Sequence, residues 1–91
     1  MNDKNYNGWA NYETWNVKLW LDNDEGVYRT INTEAQHLKG LPNDVSKLAD
    51  FIKDYVEENT PDLGSSCYAD LLNASLSEVD YYQIAEAYLE D

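Results

Sequence analysis

Apolar positions are most crowded at residues 11–24, NYETWNVKLWLDND, where Tyr12, Trp15, Val17, Leu19, Trp20 and Leu21 stand between polar flanks. The pattern predicts a helix over about residues 12–21, with Asn11 as its N-cap and Glu13 in the first turn, where the helix dipole favours a negative charge. Tyr12, Trp15 and Leu19 share one face, and Val17, Trp20 and Leu21 widen it. A helix apolar over most of its circumference has to be surrounded, so this one is expected at the centre, with Trp15 and Trp20 in the core.

The other blocks also repeat at helical spacing. Asp24 caps a second helix over 25–38, striped by Val27/Tyr28, Ile31, Ala35 and Leu38 and ended by Lys39-Gly40. After the Leu41–Asp44 turn, a third helix over 45–58 sets Val45, Leu48, Ala49, Ile52 and Val56 inward. Phe51 and Tyr55 lie at its edge, and Asp50, Lys53, Asp54 and Glu57 face water. Thr60-Pro61 stops it, because a residue before proline avoids the helical region. A loop at 62–66 leads to a short helix over 67–74 that buries Cys67 or Tyr68 with Leu71 and Leu72. Ser77 then opens a fifth helix, with Asp80 completing a capping box and Tyr81, Ile84, Ala85, Tyr88 and Leu89 as its stripe. No segment alternates as a strand would. The expected fold is all-α: one compact domain over 1–91, of four or five short helices around the Trp-rich helix. Residues 1–8 form a loosely held arm that Tyr6 and Trp9 could pin.

Composition changes this picture in one respect. Eighteen acids face six bases, giving −12 and a pI near 4.1. Residues 1–53 hold eight of the acids and all six bases, whereas 54–91 hold ten acids and no base. Such a surface repels nucleic acid and anionic lipid and draws in basic partners. The single cysteine excludes an internal disulfide and suits a reducing cytoplasm. The N-terminus carries no signal-peptide pattern, and the longest apolar run is Leu19–Leu21, so no membrane association is expected.

Candidate chemistry is sparse. Asp22-Asn23-Asp24-Glu25-Gly26 has the look of a calcium loop, but with Gly26 in the sixth position the first is Leu21 and the twelfth Asn32, neither a carboxylate. Zinc fares worse, with one cysteine and one histidine in the chain. Cys67 and His37, 30 residues apart, form no catalytic constellation; His37 reads as an exposed residue near a helix end and Cys67 as a small buried one. No catalytic residue, cofactor or metal is expected, and the protein is not expected to be an enzyme. Trp9, Tyr6 and one of the Tyr81-Tyr82 pair are the aromatics expected at the surface.

The acids from Asp54 onward are interleaved with Tyr68, Leu71, Leu72, Ile84 and Leu89, so they sit on a folded scaffold and not on a tail. Fixed carboxylates can imitate nucleic-acid phosphates, which on duplex DNA come at about one charge per 1.7 Å of axis. A plain solubilising surface has the same composition. The blocks NYETWNVKLWLDNDEG (11–26), DLGSSCYADLL (62–72) and ASLSEVDYYQIAEAYLED (74–91) resemble a family of small acidic proteins encoded by phages, plasmids and other mobile elements. The closing block departs at Tyr81-Tyr82-Gln83 from the family pattern, which leads one to expect a Trp and a second polar residue there. The resemblance implies a context, that of anti-restriction and anti-CRISPR inhibitors, and carries over no active-site residue.

The expected function is therefore inhibition of a host DNA-directed defence system by an acidic nucleic-acid mimic. Asp54, Glu57, Glu58, Glu78, Asp80, Glu86 and Glu90 would form the partner-binding surface. The partner would be a basic nucleic-acid-binding host protein in the bacterial cytoplasm. No direct nucleic-acid binding is expected, and the chain would be a monomer or homodimer. The alternative is a small adaptor or regulator that grips a protein partner through exposed aromatics.

Overall fold

A computed structural model describes residues 8–59 and 67–90. The predicted arm (except Gly8), the Thr60-Pro61 stop and the 62–66 loop lie outside the described residues, as do Tyr6, Asp62 and Asp91. Five helices follow one another: α1 (Tyr12–Asn23), α2 (Glu25–Leu38), α3 (Asp44–Glu58), α4 (Cys67–Ser77) and α5 (Tyr81–Glu90). There is no strand among the described residues, and the helices form one compact all-α domain.

The helix limits follow from local chemistry. Asn11 Oδ1 accepts from the Thr14 N–H at 2.8 Å, and Asp24 Oδ1 accepts from the Val27 N–H at 3.2 Å; both are side-chain caps. Asp24 is also the single residue between α1 and α2. Gly40, at φ +88°, ends α2 in the left-handed conformation glycine tolerates best. Asp80 Oδ1 accepts from the Gln83 N–H at 3.0 Å and so caps α5. Ser77 therefore does not open the fifth helix: it closes α4, and its hydroxyl donates to the Ala74 carbonyl.

The core lies between α5, α3 and α2. Tyr81, Ile84, Ala85, Tyr88 and Leu89 of α5 are all buried, against Leu48, Ala49 and Ile52 of α3 and Ile31 and Ala35 of α2. Ile31, Leu48, Ile52 and Ile84 are wholly inaccessible, and each such side chain contributes roughly 1.5–3 kcal/mol by leaving water. The α3–α5 pairing is the most extensive in the molecule.

The Trp-rich helix is not at the centre. At roughly 100° per residue, Thr14, Val17 and Leu21 fall on one side of α1 and Tyr12, Trp15 and Leu19 on the other. The helix turns the first side inward. Thr14 and Leu21 are its only buried residues, whereas Trp20 is 73% exposed, and Tyr12 and Leu19 are exposed too. Trp15 is half-buried, and its ring leans on Tyr12 with centroids 5.6 Å apart.

α1 lies beside α5 and runs parallel to it. The Asp80 N–H donates to Thr14 Oγ1 at 2.8 Å, and the Tyr88 hydroxyl donates to Asp22 Oδ1 at 2.7 Å. Both bonds join residues 66 apart, so the register is the same at the two ends of the seam.

Candidate functional site

Two surface features have the means to bind something, and one polar cluster that resembles a site is structural. The cluster sits on the α1–α5 seam. Lys18 donates from Nζ to Asp22 Oδ2, and the same ammonium lies 4.8 Å from the centroid of the Tyr88 ring and 5.8 Å from that of Trp9. Asp22 also accepts from the Tyr88 hydroxyl, so the groups satisfy one another. Burial first, and then the hydrogen bond to Asp22 with its charge, pushes the Tyr88 phenol well above its ordinary value of 10. Burial and the Glu57 carboxylate push Tyr81 up as well.

A group whose proton is held more tightly in the folded chain stabilises the fold at pH below its unfolded value. That stability is lost as pH rises past about 10 toward the folded value. We therefore expect Tyr81 and Tyr88 to ionise together with alkaline unfolding in an ultraviolet difference titration, with Tyr88→Phe removing the Tyr88 share. Smooth ionisation of both in a chain whose circular dichroism is unchanged would contradict this.

The first surface feature is the set of carboxylates. Asp54, Glu57, Glu58, Glu78, Asp80, Glu86 and Glu90 are all exposed. They fall into two groups. Asp54, Glu57 and Glu58 occupy the last turns of α3. There Glu57 shares a cleft of about 640 Å³ with Lys53, Asn73, Ser77 and Tyr81, which places it near Glu78 and Asp80 in the α4–α5 connection. Glu86 and Glu90 stand one turn apart on the outward stripe of α5 and line a shallow depression with Gly8, Trp9 and Gln83. Asp80 is partly committed as the α5 cap. Among the described residues, only Glu57 of the seven meets a cation, Lys53 at 3.8 Å.

The second feature is an apolar groove, which the sequence pattern did not indicate. Val17, Trp20 and Leu21 of α1, Val27 of α2, Tyr55 and Val56 of α3, and Leu72 and Leu76 of α4 line about 570 Å³, with Asn16, Asp24 and Asn59 as its polar members. Its signal in the sequence was the Thr14–Val17–Leu21 spacing, which competes with the aromatic face of the same helix. Of the aromatics expected at the surface, Tyr82 is 53% exposed, whereas Trp9 is half-buried beneath Lys18.

Two further expectations meet different outcomes. His37 is exposed in the last turn of α2, as read. Cys67 is exposed at the start of α4, not buried, and Leu71 is 64% exposed, whereas Leu72 is half-buried; the Tyr68 side chain lies outside what the structure describes. Among the described residues no three of His, Cys, Asp or Glu converge as metal ligands, and no helix is long and apolar enough to cross a membrane.

Residues 2–90 match the family described as "Family of unknown function (DUF7249)", and the chain belongs to it. No curated protein and no solved structure matches the chain.

Proposed function

We propose that this member of the DUF7249 family is a non-enzymatic inhibitor of a basic, nucleic-acid-binding host protein of the restriction or CRISPR kind. It acts by placing carboxylates where the partner's groove would hold phosphates. The setting is the cytoplasm of a bacterium that carries the mobile element encoding it. The observation that carries the reading is the set of exposed carboxylates on α3, α5 and the α4–α5 connection, six of the seven without a cation among the described residues. Behind them stands a close-packed core of Leu48, Ile52 and Ile84, which keeps the helices that bear the charges in fixed relation. A basic groove gains most from charges that are already positioned, because little ordering entropy is lost on binding.

Binding of this kind is salt-dependent. Inhibition of a restriction or RNA-guided nuclease by the wild-type chain is expected to weaken steeply as salt rises. A variant carrying Asp54→Asn, Glu57→Gln, Glu58→Gln, Glu86→Gln and Glu90→Gln leaves the Asp80 cap intact. It should bind at least roughly tenfold more weakly at low salt, with a flatter salt dependence. Equal inhibition by variant and wild type, with the same salt slope, would refute the proposal.

The exposure of Trp20 (73%) and Tyr82 (53%) favours a second reading, an adaptor or regulator held by aromatics. In that case the five neutralised carboxylates matter little and salt has a small effect.

A further inference from the structure

We infer that the groove bounded by α1, α3 and α4 docks a basic amphipathic helix of the protein partner. The inference rests on the reading of this protein as a binder of basic partners, and it names the contact that would add apolar affinity to the charge.

Three observations meet at the groove. α4 turns Leu72 and Leu76 into it, both only half-covered, and none of the described side chains of α4 is buried. Opposite it, α1 leaves Trp20 73% exposed. Between them the groove of about 570 Å³ has an apolar floor of Val17, Leu21, Val27 and Val56. Contiguous exposed apolar surface of this kind marks a binding site more often than isolated exposed residues do. A tryptophan at its rim is the side chain most often found to anchor an interface.

The occupant's chemistry follows from what surrounds the groove. Strand addition needs a sheet edge, and the described residues contain no strand; a cleft between helices accepts a helix through its apolar stripe. No lysine or arginine lines the groove. Asp24 lines it, and the last turns of α3 and the first turn of α4 carry Asp54, Glu58 and Asp70, with no base after Lys53 in the chain. A helix with lysine or arginine beside its apolar stripe complements that field. A second copy of this chain, at −12, is opposed by it.

The test uses the full chain and three synthetic 18-residue peptides. One is a leucine–lysine amphipathic helix, one has the same leucine face with glutamate for lysine, and one is a scrambled leucine–lysine sequence without a stripe. Calorimetry should show binding of the first, with the other two at least roughly tenfold weaker. Trp20→Ala should weaken the first by roughly 30-fold and Trp20→Phe by less, with circular dichroism unchanged because the side chain is mostly in solvent. The inference is overturned if the first peptide does not bind, if Trp20→Ala binds as wild type does, or if the scrambled peptide binds equally. Self-association that buries Trp20 in the absence of peptide would assign the groove to a second copy and also overturn it. Failure of the carboxylate reading shows elsewhere, as undiminished nuclease inhibition by the five-site variant.

Discussion

Ile84→Ala is expected to cost about 2–5 kcal/mol of unfolding free energy, the range for truncating a buried isoleucine that leaves a cavity. A chain of this length has roughly 5–14 kcal/mol in all, so the substitution removes a large part of it. The site is unforgiving for a geometric reason. Ile84 is wholly inaccessible in the helix whose buried residues meet α1, α2 and α3 together, so no single neighbour can move in without leaving another contact. Urea unfolding followed by circular dichroism should show a much lower midpoint with little change in slope. Trp20→Ala, although it deletes a far larger side chain, should stay within about 0.5 kcal/mol of wild type, because exposed positions rarely matter more. Equal losses for the two variants would mean that α5 is not the helix the others pack around.

That contrast inverts what the hydrophobic pattern alone suggested. Where apolar residues fall on one stripe, the pattern is a sufficient guide: α2 buries Ile31 and Ala35, α3 buries Leu48, Ala49 and Ile52, and α5 buries Tyr81, Ile84, Ala85, Tyr88 and Leu89, all at positions the spacing assigns. α1 has apolar residues on both sides, and periodicity cannot rank two competing stripes. Total hydrophobicity favours the side bearing Tyr12, Trp15 and Leu19. Packing chose Thr14, Val17 and Leu21: Thr14 meets the start of α5, and Val17 and Leu21 turn toward α2, α3 and α4. A hydrophobic pattern passes over Thr14, because a threonine counts as polar. Its hydroxyl is what the buried position requires, since it has both a donor and an acceptor to satisfy.

The α4–α5 boundary failed for a related reason. Ser77 and Asp80 stand three residues apart, as in a capping box, but Asp80 and Gln83 have the same spacing and took the role. The Gln83 side chain then turns outward, donating from Nε2 to the Gly8 carbonyl at 3.1 Å and accepting from the Ala10 N–H at 2.8 Å. These are contacts over more than 70 residues that no local pattern encodes. The carboxylates were legible as exposed positions, because charged residues opposite an apolar stripe have nowhere else to go. Their division between the end of α3 and the outer stripe of α5 depends on how helices pack, and so does the groove at Trp20.

Thr14→Val should destabilise the protein by about 1–3 kcal/mol, the cost of leaving a buried polar group without its partner. Thr14 is wholly inaccessible. Its hydroxyl donates to Asn11 Oδ1 at 2.6 Å and accepts the Asp80 N–H at 2.8 Å. Asn11 in turn donates from Nδ2 to the Glu78 carbonyl at 2.7 Å, so two bonds tie the start of α1 to the residues that launch α5, and the Thr14–Asn11 bond links the two. Valine keeps the shape and removes the hydroxyl. Asn11 can still accept from the Thr14 position's own N–H, but the Asp80 amide has no replacement acceptor once water is excluded. Thr14→Ser tests the opposite half of the side chain. It keeps both hydrogen bonds and loses one methyl, for about 1 kcal/mol. Hydrogen exchange separates the two effects: the Asp80 amide should lose its protection in Thr14→Val and retain it in Thr14→Ser. A valine variant as stable as wild type, with Asp80 still protected, would show that the link between the two helix starts is made by packing and not by this hydroxyl.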